Sequence, residues 1–158
     1  MNKPVNCLTI DPKTNLVYVG TNCCIEVFSF EHTLKHLGQC SIKLVGDIFQ
    51  ILLSGNEVLL CCFSGIHFGQ IKKIETFQWH SNKVYFKNKL ISTVIQLDIT
   101  KFMACDMAHG IYLIDRSDSQ QGVIPIQGES SGCTDLLKTP LYHEETFPYL
   151  IARTKFKI

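Results

Sequence analysis

Apolar residues recur along this chain in short runs of strand length, separated by turn residues, and the runs repeat as a set. The unit is clearest at 57–69, EVLLCCFSGIHFG: an unbroken apolar run, a Ser-Gly break, then a segment that ends in alternation. Aligning Ile25, Ile66 and Ile111 brings LVYVGTNCCIEVF (16–28), EVLLCCFSGIHFG (57–69) and FMACDMAHGIYLI (102–114) into register without a gap, at spacings of 41 and 45 residues. A fainter copy, FPYLIARTKFKI (147–158), puts Phe156 another 45 residues after Ile111. A buried helix can also supply a short apolar run, but Val, Ile, Phe and Cys bounded by turn residues at this spacing predict strands. The expected class is all-β.

Each copy predicts the same order of strands. In the first, Asn6–Ile10 is followed by a turn at Asp11-Pro-Lys-Thr-Asn15, where Pro fixes φ and Asp and Asn favour the bend. Leu16–Gly20 returns, Ile25–Phe30 is the third strand, and the polar stretch His32–Ile42 suits a solvent-facing edge. The second copy has Phe49–Leu53, Val58–Phe63, Ile66–Ile71 and a long polar segment, Lys72–Asn88. The third has Thr93–Leu97, Phe102–Met107, Ile111–Asp115 and Gly122–Ile126, with Pro125 tolerable only at an edge or bulge. The fourth has Cys133–Leu137, Tyr149–Ala152 and Lys155–Ile158. The resulting units are about 5–42, 48–90, 92–127 and 132–158. The second strand of each, as a continuous apolar run, is expected to be packed on both faces, whereas the third alternates as Ile25-Glu-Val-Phe28 does.

A strand-built repeat of this length resembles the WD40-like β-propeller superfamily, over nearly the whole chain and at the level of pattern. The Gly-His and Trp-Asp signatures of true WD40 blades are missing, and the single tryptophan, Trp79, stands between repeats in Gln78-Trp79-His80. The likeness is therefore to degenerate propellers, a group that includes the citron-homology and cleavage-factor types. It implies a rigid, non-catalytic platform for protein–protein interaction and transfers no site residue. Propellers usually close four to eight blades into a ring; this chain offers three full units and a fourth without its outer strand. An open array exposes apolar faces and strand edges. The expectation is a partial or open propeller, completed by the remaining blades of a larger propeller, by another copy or by another protein.

At 158 residues the chain is expected to form one domain or part of one. Only 18% of it is charged, against a usual share of about 25%, which fits surface buried against something else. With 15 Lys+Arg and 14 Asp+Glu the formal net charge is +1, so no global field favours nucleic acid, an anionic membrane or an acidic substrate. The N-terminal MNKPVNCLTIDPKTN lacks the apolar core of a secretory signal, and no stretch is long and apolar enough for a spanning helix. An intracellular protein, cytoplasmic or nuclear, with no membrane partner is expected. Eight cysteines would suggest disulfides in a short secreted domain, but there is no export signal, and Cys61, Cys62 and Cys105 are expected to be reduced and to pack as small hydrophobes inside apolar runs.

Candidate chemistry is sparse. His32 and His36 have the i,i+4 spacing of a helical zinc pair but sit in a strand-like context. The neighbours Cys23-Cys24 and Cys61-Cys62 point to opposite faces of a strand and do not converge on one ion, so no metal or other cofactor is expected. No GxSxG or Walker motif occurs; Gly65 to Gly69 lacks the required lysine. His67 and His109 lie near repeat breaks, and Glu144-Glu145 beside Tyr142-His143 in a polar connection, where turn, packing and surface roles are the expectation. The one patch with a ligand chemistry is Lys72–Lys89, in which Lys72, Lys73, Lys83, Lys87 and Lys89 interleave with Phe77, Trp79, Tyr85 and Phe86. Lysines on phosphates and aromatic faces on unpaired bases make it a candidate for single-stranded nucleic acid. The competing reading is an outer strand whose aromatics pack inward.

Overall fold

The computed structural model describes residues 4–22, 24–42, 46–87, 89–108, 110–118 and 122–126 in full, together with the backbone of 133–138 and 150–154. Fourteen strands are assigned and no helix occurs among the described residues. Two compact units divide the chain, Met1–Lys89 and Leu90–Ile158.

The first unit holds two four-stranded antiparallel meanders. One is β1 (Cys7–Asp11), β2 (Leu16–Thr21), β3 (Cys24–Phe30) and β4 (Leu34–Ser41), paired in that order. The other is β5 (Ile48–Ser54), β6 (Glu57–Cys62), β7 (Gly65–Lys73) and β8 (Phe77–Tyr85), likewise paired in order. In the second unit β9 (Ile91–Gln96), β10 (Lys101–Asp106), β11 (Gly110–Asp115) and β12 (Val123–Pro125) form a third meander, and β13 (Cys133–Lys138) pairs with β14 (Leu150–Thr154). The expected third strand of the last unit, 155–158, lies outside the described residues.

The turns show why the chain reverses where it does. Asp11 accepts hydrogen bonds from the Lys13 amide (3.0 Å) and the Thr14 hydroxyl (2.7 Å), and Asp98 accepts from the Thr100 and Lys101 amides (2.8 Å each). Both carboxylates are thereby held below the usual carboxylate pKa. The β5–β6 loop uses glycine instead: Gly55 takes φ +60°, as the first position of a two-residue hairpin loop can require.

Register settles which side chains share a face. On one face of the β1–β4 sheet, Ile25, Val27 and Cys40 are fully buried in a cluster with Ile48, Ile51, Val58 and Leu60 of the β5–β8 sheet. Strand β5 accordingly lies against β1 and β2, and β4 against β8. Strand β6 is buried on both faces from Val58 to Cys62, as a continuous apolar run predicts. Strand β7 departs from the expected alternation: Gly65, Ile66, His67, Phe68 and Gly69 are all buried, because this strand too is covered on both sides through its first half.

The gapless repeat also needs one correction. Gly20, Cys61 and Cys105 are equivalent, each paired with the aligned isoleucine. The loop between Asp106 and Gly110 is one residue longer than its counterparts, so the second strand of the third meander is shifted by one position against the alignment.

Candidate interaction surface

The two faces of the β1–β4 sheet differ in what covers them. The pairs Leu8–Val19, Ile10–Val17, Val17–Phe28 and Phe30–Leu34 place these side chains together on the face turned away from the β5–β8 sheet. There Leu8 is 62% exposed, Ile10 55%, Phe30 53% and Leu34 57%. An antiparallel sheet that meets water on one side normally carries polar residues there; this one carries aliphatics and aromatics. Contiguous exposed apolar surface marks a site of association. The same face holds Glu26 and His36, whose Oε2 and Nε2 are 2.9 Å apart, with the Phe28 ring 4.9 Å from the imidazole. His36 thus stands in a strand, opposite Phe28 and hydrogen-bonded to Glu26, and not in a helical zinc pair, and no metal-binding cluster occurs among the described residues.

Neither Leu8 nor Ile10 stands out in the sequence as a site residue. The signal was present in the parity of β1 and β3: Leu8, Ile10, Phe28 and Phe30 are apolar on one face while Ile25 and Val27 are apolar on the other.

Between the β1–β4 and β5–β8 sheets a cavity of about 830 Å³ opens beside Ser41, Ile42, His67, Phe77, Trp79 and Val84. His67 is buried at its wall, with Nε2 2.9 Å from Ser64 Oγ, and Ser64 Oγ lies 3.0 Å from Cys62 Sγ. Burial lowers the His67 pKa below its ordinary value, helped by the positive charge of Lys87, so the ring is neutral at pH 7. A neutral imidazole beside a hydroxyl is half of a nucleophilic arrangement. Ser64 is its hydrogen-bond partner, and no carboxylate orients the ring among the described residues. The group closes the β6–β7 turn, where the Cys62 thiol donates to the Gly65 carbonyl at 3.5 Å. In the β2–β3 turn Thr21 plays the same part, with its hydroxyl 3.2 Å from the Cys24 carbonyl and 2.7 Å from the Cys24 sulfur.

The basic–aromatic stretch is spread over two faces. Lys72 and Lys73 end β7 on opposite sides of the sheet. On β8, Trp79 shares a face with Lys73 and Phe77 and packs into the core cluster. Lys83 and Tyr85 lie on the other face, where the buried Tyr85 ring meets Phe68 edge-on at 5.5 Å. Lys73 sits 5.4 Å from the Phe77 ring centre, Lys83 4.8 Å from Tyr85 and Lys89 5.6 Å from Phe86. Lys87 is exposed beyond the strand end.

The cysteines divide. Cys7, Cys24, Cys40, Cys61 and Cys62 form no disulfide. Burial raises the Cys7 thiol pKa, pushes Cys40 up to about 11 and holds Cys61 well above its ordinary value, so these thiols are protonated and poor nucleophiles at pH 7. Cys105 was expected to be a reduced packing thiol and is instead disulfide-bonded, with a partner outside the described side chains. An apolar run shows that a sulfur is buried, not what lies across from it. His109, Cys23 and the 142–145 cluster also lie outside the described residues.

Four-stranded antiparallel meanders, each strand paired with the next in sequence and one sheet laid face to face on another, are blades of the β-propeller type. Among solved structures, the crystal structure of Raptor from Chaetomium thermophilum is similar to this chain, with a TM-score of 0.63 at 15% sequence identity. The likeness covers 85% of this chain but only 13% of that one. No protein-family model and no curated protein sequence matches the chain.

Proposed function

We propose that this chain is a non-catalytic protein-interaction module, a WD40-like propeller segment that works within a larger protein or complex. The observation that carries this reading is the β1–β4 sheet: apolar on both faces, with one face packed by the next blade and the other exposing Leu8, Ile10, Phe30 and Leu34. The small share of Raptor that the chain matches agrees with a segment of something longer. Nucleic-acid binding through Lys72–Lys89 gains no specific support, since Tyr85 and Phe77 are buried and their faces are taken by the chain's own lysines.

The test is the native size of the endogenous protein. In cell extract it is expected to migrate in an assembly larger than a single chain. Migration as a lone chain would overturn the reading.

A further inference from the structure

We propose that the open face of the β1–β4 sheet is covered by one further blade-type sheet, stacked in the same sense as β1–β4 stacks on β5–β8 and carried by the same polypeptide outside these 158 residues. The inference rests on the interaction-module reading and names what covers the face.

Register identifies the face. Its pairs Leu8–Val19, Ile10–Val17 and Phe30–Leu34 stand in the first meander where Ile51–Leu60, Leu53–Val58 and Ile71–Trp79 stand in the second. All six of those second-meander side chains lie in or against the core cluster that joins the two sheets. The second sheet therefore meets the first through this face, while the first meets the second through its other face, with Ile25, Val27 and Cys40. In the third meander the equivalent positions, Val94, Ala104, Phe102 and Ile114, are completely buried. The same face is thus closed in the second and third meanders and open in the first.

Sheets stacked in one sense always bring unlike faces together. The missing half is therefore a face built like Ile25, Val27 and Cys40, small and aliphatic, on a sheet about 10 Å away. A second copy of the open face does not supply it. Area then decides where the covering sheet comes from. Four strands at about 4.8 Å spacing and about 3.4 Å per residue make a face of roughly 19 Å by 20 Å, or about 380 Å². That is less than half of the roughly 800 Å² per partner that a separate subunit buries in a stable interface. A sheet tethered by its own chain needs less, since the linker holds it at an effective concentration of about millimolar. The covering blade is accordingly held in cis, as β5–β8 already is.

The mass of the endogenous polypeptide under denaturing conditions, detected with an antibody raised against this chain, tests the proposal. It is expected to exceed the 17.9 kDa of these residues by at least one further repeat of 41 to 45 residues. In that polypeptide Leu8→Lys with Ile10→Lys should lower the melting midpoint by about 5 °C or more, because two charges are forced into an apolar contact. In the recombinant 158-residue chain, where both positions are exposed, the same pair should move it by no more than about 1 °C. If the 158-residue chain does not fold alone, the mass and the melt of the longer polypeptide decide.

An endogenous polypeptide of 17.9 kDa, or a longer one whose melt is indifferent to the two lysines, would overturn the proposal. A 17.9 kDa polypeptide inside a large native assembly would give the face to a separate subunit and leave the interaction reading standing. The same polypeptide migrating alone would remove both.

Discussion

His67 shows at the scale of one residue how the inter-blade packing sets chemistry. Its ring is buried against the cavity wall and its pKa lies below the ordinary value of about 6.5. Above that pH both the folded and the unfolded chain hold it neutral. Below it the unfolded chain takes up a proton that the folded one resists, so stability falls as pH drops from about 6.5 through the lower folded pKa, and then levels off. In His67→Gln this component is absent, while a polar group still faces Ser64. Denaturant midpoints measured against pH should decline less for the variant than for the wild type across that window. Parallel curves would show that the imidazole is not buried as described.

At the scale of the element, glycine on β7 decides how closely β8 can approach. A Cβ at Gly69 would strike the His80 carbonyl oxygen and come within 2.6 Å of the Trp79 ring. Gly69→Ala is therefore expected to destabilise the fold by about 1–3 kcal/mol through overpacking. Gly55→Ala, strained in φ but with nothing within 4 Å of the added carbon, should cost about 1 kcal/mol or less, and paired thermal melts compare the two.

The strands themselves were legible from periodicity alone, and Val58–Cys62 is buried throughout as a doubly packed second strand should be, whereas Phe63 at the end of the run is exposed and the counterparts β2 and β10 are buried only in part. The one-residue shift after Asp106 was not. A longer turn leaves the aligned isoleucine in place and moves only the strand before it. Nor did the sequence distinguish Lys72–Lys89 as a surface from Lys72–Lys89 as an outer strand, because lysines over their own aromatics and lysines beside unpaired bases share one composition. What composition lacks is register, which sends Trp79 and Tyr85 to opposite faces.

At the scale of the whole molecule, the missing charge and the repeat count both pointed to surface buried elsewhere, and the face of β1–β4 that exposes Leu8 and Ile10 is the one proposed for that role. Parity in β1 and β3 held that information, but only pairing shows that the two parities are two faces and that one of them is covered. The most direct measurement is hydroxyl-radical footprinting of Leu8, Ile10 and Phe30 in the native assembly and in the dilute isolated chain. These side chains are expected to be oxidised readily in the isolated chain and shielded in the assembly, while exposed Ile74, on the β7–β8 loop, reacts alike in both. Equal oxidation of Leu8, Ile10 and Phe30 in the two states would contradict it.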